Sequence, residues 1–306
     1  MVWPLANPFF NRTSGRGSNH EKTGGISMYR IIEKQDLTPA IKLMKVDAPA
    51  IARKAQAGQF IILRLHDRAE RIPLTIADYD RDKGTITIVF QVVGKSTEEL
   101  ATLKQGDSIL NFAGPLGVPS EIEDYGTVVC IGGGVGVAPI YPITRALHQA
   151  GNRIISIIGA RCDNLLFYES DMRSVSDELQ VVTDDGTKGR KGLVTDPLED
   201  ILKSGSKIDL VIAIGPVPMM RAVAGLTKTY GVKTIVSLNP IMVDGTGMCG
   251  CCRVSVGGVR KFACVDGPDF DAHQVDFEEL TKRQRTYKKE EQASSEHYHQ
   301  CACGRE

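Results

Sequence analysis

The sequence carries no excess of either charge, with lysine plus arginine and aspartate plus glutamate numbering 37 each. That balance argues against general attraction to nucleic acid or to an anionic membrane surface, so partners are expected at specific sites. Long apolar runs are missing too: the stretches around Val128–Ile143 and Leu210–Met220 are broken by glycine and proline and are too short to span a bilayer. The start, "MVWPLANPFFNRTSGRGSNHEKTGG", has neither the basic flank nor the continuous apolar core of a secretory signal. No disulfide framework is implied. Cys130 and Cys162 lie in apolar, strand-like surroundings as buried thiols, while the remaining cysteines cluster at metal-ligand spacing. A soluble protein of a reducing cytoplasm is the expectation.

A chain of 306 residues has room for roughly two or three domains. Residues 1–27 read as a flexible N-terminal arm, with Met28 a sensible alternative start. From 28 to 122 the segments "GQFIILRLH" (Gly58–His66), "TITIVFQVV" (Thr85–Val93) and "DSILNFAGP" (Asp107–Pro115) predict an antiparallel β-barrel. Between the last two, "STEELATL" predicts a short helix capped by Ser96 with Glu99 in capping-box position. From 123 to 239 the pattern changes to strands at Thr127, Arg153–Ala160, Leu179–Asp185, Asp209–Gly215 and Lys233–Asn239, separated by helical segments. That alternation predicts an α/β doubly wound parallel sheet. Residues 240–282 read as a small cysteine-bearing unit. Residues 283–306 read as a flexible tail whose "HYHQCAC" (His297–Cys303) is a solvated extension in preference to a site for a stray metal.

The glycine turns carry the first functional signal. In "GGGVGVAP", Gly132, Gly133, Gly134 and Gly136 let the backbone approach a ligand closely. The helix that follows, with Pro139 in its first turn, offers amides and a positive dipole end to a pyrophosphate. "GPVPMM", with Gly215, Pro216 and Met219, follows another strand and so reaches the same carboxyl edge of the sheet. "TDDGTKGRKG" (Thr183–Gly192) is a surface turn or a nucleotide contact, and Arg161 faces an adenosine ribose or solvent. In the barrel half, Arg71, Pro73, Leu74 and Thr75 of "RIPLT" combine a cation, a rigid proline and a hydroxyl. Gly94, Lys95, Ser96 and Thr97 of "GKST" stand at a helix N-terminus, a second anion seat. Together the two halves point to a flavin barrel followed by a dinucleotide fold.

The ordered series "RIPLT", "GKST", "GPLG" (Gly114–Gly117), "GGGVGVAP" and "GPVPMM", followed by a cysteine cluster, resembles the ferredoxin–NADP reductase superfamily from about Met28 to Glu279. Its branch is the one containing the electron-transfer subunit of dihydroorotate dehydrogenase B. Within it the chain is most similar to the small subunits of NADH-dependent reduced ferredoxin:NADP oxidoreductases, also called sulfide dehydrogenase beta subunits. The resemblance implies FAD in the barrel at Arg71, Pro73, Leu74, Thr75 and Gly94–Thr97, and NAD(H) over Gly132–Pro139 and Gly215–Met219. The chain departs from much of the superfamily in the spacing of the flavin motif, because Arg71 precedes the hydroxyl of Thr75 by four residues instead of three.

Set against the C-x4-C-x2-C spacing of plant-type two-iron clusters, "DGTGMCGCCR" and Cys264 give D-x4-C-x2-C-x11-C through Asp244, Cys249, Cys252 and Cys264. A [2Fe-2S] cluster with one carboxylate ligand is the expectation. Zinc on the same residues is the rival, and a turn-forming Asp244 with Cys251 completing a four-cysteine set is the rival within the iron–sulfur reading. Hydride donation by NADH and one-electron uptake by a cluster need a flavin between them and no acid–base triad. Nothing in the chain supplies a second cluster set. The resemblance therefore implies a larger partner, a glutamate-synthase-small-subunit-like flavoprotein with FAD and [4Fe-4S] clusters, coupling NADH and NADPH to ferredoxin by electron bifurcation. A dihydroorotate dehydrogenase B electron-transfer subunit and a non-catalytic metal-binding module are the alternatives.

Overall fold

A computed structural model describes residues 28–303 of the chain. The expected arm at 1–27 and the alternative start lie outside the described residues, except for Met28 itself. The first half is built from β1 (Tyr29–Asp36), β2 (Ile41–Asp47), α1 (Pro49–Ala52), β3 (Phe60–Arg64), β4 (Ile72–Asp80), β5 (Thr85–Gln91), α2 (Lys95–Thr102), β6 (Ser108–Ile109) and β7 (Asn111–Leu116). Its seven strands form one antiparallel sheet in the order β6-β1-β2-β5-β4-β3-β7. The two edge strands are separated in the chain by Leu110 alone, so the sheet curls into a nearly closed barrel. Phe90, Phe112, Ile61, Leu63 and Ile88 fill its interior. Each such side chain removed from water contributes about 1.5–3 kcal/mol before entropy is counted.

The second half continues with β8 (Thr127–Gly133), α3 (Val137–Gln149), β9 (Arg153–Ala160), α4 (Glu169–Ser174), β10 (Glu178–Thr183), β11 (Arg190–Lys191), α5 (Thr195–Lys203), β12 (Leu210–Ile214), α6 (Val217–Thr229) and β13 (Thr234–Ser237). The order β11-β10-β9-β8-β12-β13 is parallel throughout. Val128, Val129 and Ile131 of β8 are all fully buried, because helices cover both faces of the sheet and an apolar run is needed on each.

Beyond β13 come β14 (Arg253–Val256), β15 (Val259–Phe262), β16 (Asp269–Asp271), α7 (Phe277–Gln284) and α8 (Lys288–Cys303). The cysteine-bearing segment forms the small C-terminal unit and packs closely on the other two. β16 pairs antiparallel with β13 through Ser237↔Asp269 and Val236↔Phe270, extending the parallel sheet by one strand. Cys252, Val254, Cys264, Phe270 and Phe277 share one apolar core with Phe60 and Ile62 of the barrel and with Val211 and Val236 of the sheet.

One expectation is corrected. The helix after β5 begins at Lys95 with Gly94 as its N-cap residue, so Ser96 does not cap it. Thr97, not Glu99, reaches back, its Oγ1 accepting from the amides of Val93 at 3.0 Å and Gly94 at 3.2 Å. In the segment read as a flexible tail, α7 runs on to Gln284, and α8 is a mostly exposed helix that reaches α2, with His299 Nε2 2.7 Å from Glu98 Oε2. Its opening run, Lys288–Ala293 (KKEEQA), consists of good helix formers, which start a helix without an apolar face. No helix among the described residues is long and apolar enough to cross a membrane.

Candidate cofactor sites

The barrel and the parallel sheet enclose a cavity of about 910 Å³. From the barrel, Pro73, Leu74 and Thr75 of β4 line it, with Phe60, Val93 and Thr97. From the sheet come Gly133, Gly134, Gly136 and Pro139, then Gly215, Pro216 and Met219. The turn after β8 works because each glycine solves a different problem. A Cβ at Gly136 would lie 2.2 Å from the Ile214 carbonyl oxygen, so this glycine lets α3 and β12 touch. A Cβ at Gly133 would lie 2.2 Å from Met219 Sδ, and one at Gly215 2.7 Å from Met219 Cε, so the two glycine turns interlock around that methionine. Gly134 has φ +56 and no atom within 4 Å of where a Cβ would stand, leaving its backbone open for a ligand. That open cradle fits the pyrophosphate of a dinucleotide.

Five of the expected residues are not on the cavity wall. Gly132 is packed under α3, where a Cβ would meet the Val137 backbone at 2.9 Å. Arg71 is exposed beside β4 and has no ion pair among the described residues. Gly94 faces open space, again with no atom within 4 Å of an added Cβ. Lys95 and Ser96 are turned to Glu70, whose carboxylate accepts from Ser96 Oγ at 2.6 Å and lies 4.0 Å from Lys95 Nζ. The open space at Gly94 and the exposed Arg71, which has no ion pair among the described residues, suit a phosphate group, provided that Lys95 and Ser96 exchange Glu70 for it. Arg161 does line the cavity, as does Asp184 of the "TDDG" turn. Sequence reasoning missed Phe60 and the run Ser237–Pro240, which also line it. The one signal for that run was its position at the carboxyl edge, directly after a predicted strand.

The cysteine loop lies beyond that edge. Cys252 and Cys264 are buried, with sulfur atoms 3.2 Å apart and no disulfide, whereas Cys249 is exposed and Cys251 half-buried. Burial, then the neighbouring Cys252 thiol, pushes the Cys264 thiol up to about 12, and burial also raises Cys251. Asp244 closes the loop through its own backbone: Oδ1 accepts from Thr246 N at 3.0 Å and Oδ2 from Cys249 N at 2.9 Å. Those amides, Thr246 first, hold its carboxyl below the usual carboxylate range. Among the described residues no three His, Cys, Asp or Glu side chains are gathered around one point, so Cys252 and Cys264 form a ready pair while Asp244 and Cys249 stand on the rim. The donor set nonetheless fits an iron–sulfur cluster. Two buried thiols lie side by side, and Gly245, Gly247 and Gly250 all have positive φ, curling the loop as a wrapped cluster requires.

Residues 239–276 match the iron–sulfur cluster binding domain of dihydroorotate dehydrogenase B, and residues 130–225 match the oxidoreductase NAD-binding domain. A dihydroorotate dehydrogenase B electron transfer subunit homolog from Thermotoga maritima is 46% identical over 275 residues, 90% of this chain and 97% of that protein. The electron transfer subunit from Bacillus cereus strain G9842 is 31% identical over 80% of this chain and 96% of its own length. The chain belongs to the dihydroorotate dehydrogenase B electron-transfer subunit family. A solved NADH-dependent reduced ferredoxin-NADP oxidoreductase, concerned with flavin-based electron bifurcation, contains a chain 46% identical to it. The TM-score is 0.84 over 90% of this chain and 99% of that one.

As a member of the dihydroorotate dehydrogenase B electron-transfer subunit family, the protein is an NAD(H)-dependent oxidoreductase subunit for electron transfer. The NAD-binding match covers the glycine turns on the cavity wall, and the iron–sulfur match covers the cysteine loop and β14–β16.

Proposed function

We propose that this chain is the small subunit of an electron-bifurcating NADH-dependent ferredoxin:NADP oxidoreductase, passing electrons from NADH through FAD to a [2Fe-2S] cluster and on to a larger flavoprotein. The observation that carries this reading is one cavity walled by both the barrel and the nucleotide turns, with the cysteine-bearing segment anchored to the same sheet through β16. The open backbone of Gly134 takes the NADH pyrophosphate, and Met219 fixes the spacing of the two glycine turns. Thr75, Pro73 and Leu74 present the barrel wall to the flavin, with Arg71 and the Gly94–Thr97 turn at its phosphate end. When bound, FAD supplies the conversion from two-electron hydride uptake to one-electron delivery. The chain's work is to hold donor and acceptor in one dry cavity.

Asp244, Cys249, Cys252 and Cys264 ligate the two-iron cluster in this reading, which requires Asp244 to exchange its loop amides for iron. The partner is a glutamate-synthase-small-subunit-like flavoprotein with FAD, [4Fe-4S] clusters and an NADPH site, which reaches ferredoxin in turn. The unpaired thiols suit a reducing cytoplasm. A second reading, the electron-transfer subunit of dihydroorotate dehydrogenase B itself, is favoured by the engagement of both Asp244 oxygens with the loop, which leaves Cys251 as the fourth ligand.

Anaerobic co-purification from the native host, followed by spectra and assays with NADH, NADPH and ferredoxin, tests the proposal. Flavin and iron–sulfur bands, a large flavoprotein partner and ferredoxin-coupled turnover are expected. A dihydroorotate-oxidising partner would transfer the assignment to the second reading, and a colourless zinc protein would sink both. Asp244→Ser should lose or reshape the cluster signal in electron paramagnetic resonance while Cys251→Ser keeps it. The reverse pattern overturns the ligand set.

A further inference from the structure

The cavity wall touches a buried acid that hydride transfer does not require. Asp269, the first residue of β16, buries its Oδ1 without any hydrogen-bond partner, while Oδ2 accepts from Ser120 Oγ at 2.5 Å. Its cross-strand partner on β13 is Ser237, which lines the cavity and whose hydroxyl faces the same carboxyl. Ser120, on the far side, is only half-buried in the loop after β7. The arrangement is built: Gly58 has φ +83, and a Cβ there would stand 2.1 Å from Ser120 Oγ, so the glycine makes the space that lets this hydroxyl reach the acid. Burial pushes the Asp269 carboxyl above the usual carboxylate range, against the smaller opposing pull of Ser120 and then Ser237. The carboxyl therefore has one free oxygen and stands between a hydroxyl on the cavity wall and a half-buried hydroxyl, with burial favouring its protonated form.

We propose that Ser237, Asp269 and Ser120 form a proton relay out of the cavity. Oxidation of NADH by one-electron acceptors, NADH → NAD⁺ + H⁺ + 2 e⁻, sends the electrons out through the cluster and leaves one proton behind in the cavity. Ser237 takes that proton and passes its own hydroxyl proton to the free Oδ1 of Asp269. Ser120, whose hydroxyl donates to Oδ2 at rest, turns its hydrogen toward solvent and takes the proton from the acid as it gives up its own. Each group ends with the protons it started with. The electron acceptors are the iron–sulfur cluster and the partner flavoprotein, so the relay rests on the functional reading above.

Asp269→Asn keeps the shape and hydrogen bonds of a neutral acid but does not carry a proton, and Ser237→Ala leaves the acid in place and cuts its link to the cavity. Both variants, with wild type, are purified anaerobically, and flavin and cluster content are read from their spectra. Redox-difference infrared spectra in H₂O and D₂O are then recorded. A protonated carboxyl C=O band should shift when wild type is reduced, be lost in Asp269→Asn and stop responding in Ser237→Ala. Reoxidation by a one-electron acceptor should slow about a hundredfold in Asp269→Asn, within the range of general acid–base effects, and its solvent isotope effect should change. A merely structural acid would give no redox-linked band and an unaltered isotope effect, and either result overturns the relay. Wild type without flavin overturns the functional reading and the relay with it, whereas flavin without the carboxyl band overturns the relay alone.

Discussion

Arg71 and Glu70 stand side by side at the entrance to β4, yet among the described residues only Glu70 has partners, in Lys95 and Ser96. An exposed guanidinium with no ion pair among the described residues is one that a phosphate can engage, since hydrogen bonds to charged groups contribute about 1.5–3 kcal/mol each. Arg71→Ala should therefore weaken FAD retention about ten- to hundredfold, read as released flavin fluorescence after dialysis, with little change in melting temperature. Cys130 makes a different kind of prediction. It lies fully buried in β8, and burial pushes its thiol from 9.0 up to about 12. A group whose folded-state pKa is raised contributes stability that is full below its unfolded value and is lost as pH climbs toward the folded one. Between pH 8 and about 10.5 this thiol alone should cost the fold about 2 kcal/mol. Denaturant unfolding at the two pH values should show that loss in wild type and less of it in Cys130→Ala.

The turn between β8 and α3 separates two roles that sequence reading had merged. Gly136 is a packing glycine, and Gly136→Ala drives a Cβ into the Ile214 carbonyl, so it should unfold or strongly destabilise the nucleotide half, seen as a lower melting temperature. Gly134→Ala meets no atom within 4 Å and costs only the strain of a positive φ, about 1 kcal/mol. It should fold, yet raise the KM for NADH severalfold. If both variants lose stability equally, the cradle assignment fails. The nucleotide half was legible because strands covered on both faces must be continuously apolar, and such runs stand out locally. β1 was not, since "YRIIEKQD" buries only Ile31 fully and reads as polar. β16 has three residues with one buried apolar side chain, and it exists because β13 offers it a free edge. The pairing of Ser237 with Asp269 was hidden for the same reason: strand pairing joins them, and no spacing announces it. α8 escaped because periodicity reports an apolar face, which this helix lacks. Deleting residues 288–306 should consequently leave flavin and cluster absorbance intact and cost less than about 1 kcal/mol, the scale of exposed polar contacts such as His299 to Glu98.

At the scale of the whole molecule the domains are read apart in the sequence but packed together in the fold. Barrel residues Ile41, Leu43 and Val89 share a core with Val128, Val137 and Ile143 of the nucleotide half, and Arg145 of α3 reaches Asp78 of β4 at 2.6 Å. The cysteine loop is held more closely still. Cys252 and Cys264 sit in the core that contains Phe60 of the barrel, a residue that also lines the cavity, and Leu238 N donates to the Pro268 carbonyl at 2.9 Å just before β16 joins the sheet. Electron transfer between cavity and cluster depends on a fixed separation, and this shared core supplies it. The same packing means that the cluster segment has too little apolar surface of its own. Expressed alone, residues 239–284 should show neither the circular dichroism of a folded unit nor stable iron–sulfur absorbance, although they contain all four candidate ligands. Phe270→Ala in the full chain should give a graded version of that failure. It leaves every ligand in place but removes the side chain that seats β16 against β13, so the cluster should bleach faster in a chelator challenge while flavin content holds. A fragment that assembles a stable cluster unaided would show that the sheet extension is incidental, and that the distance between cavity and cluster is set elsewhere.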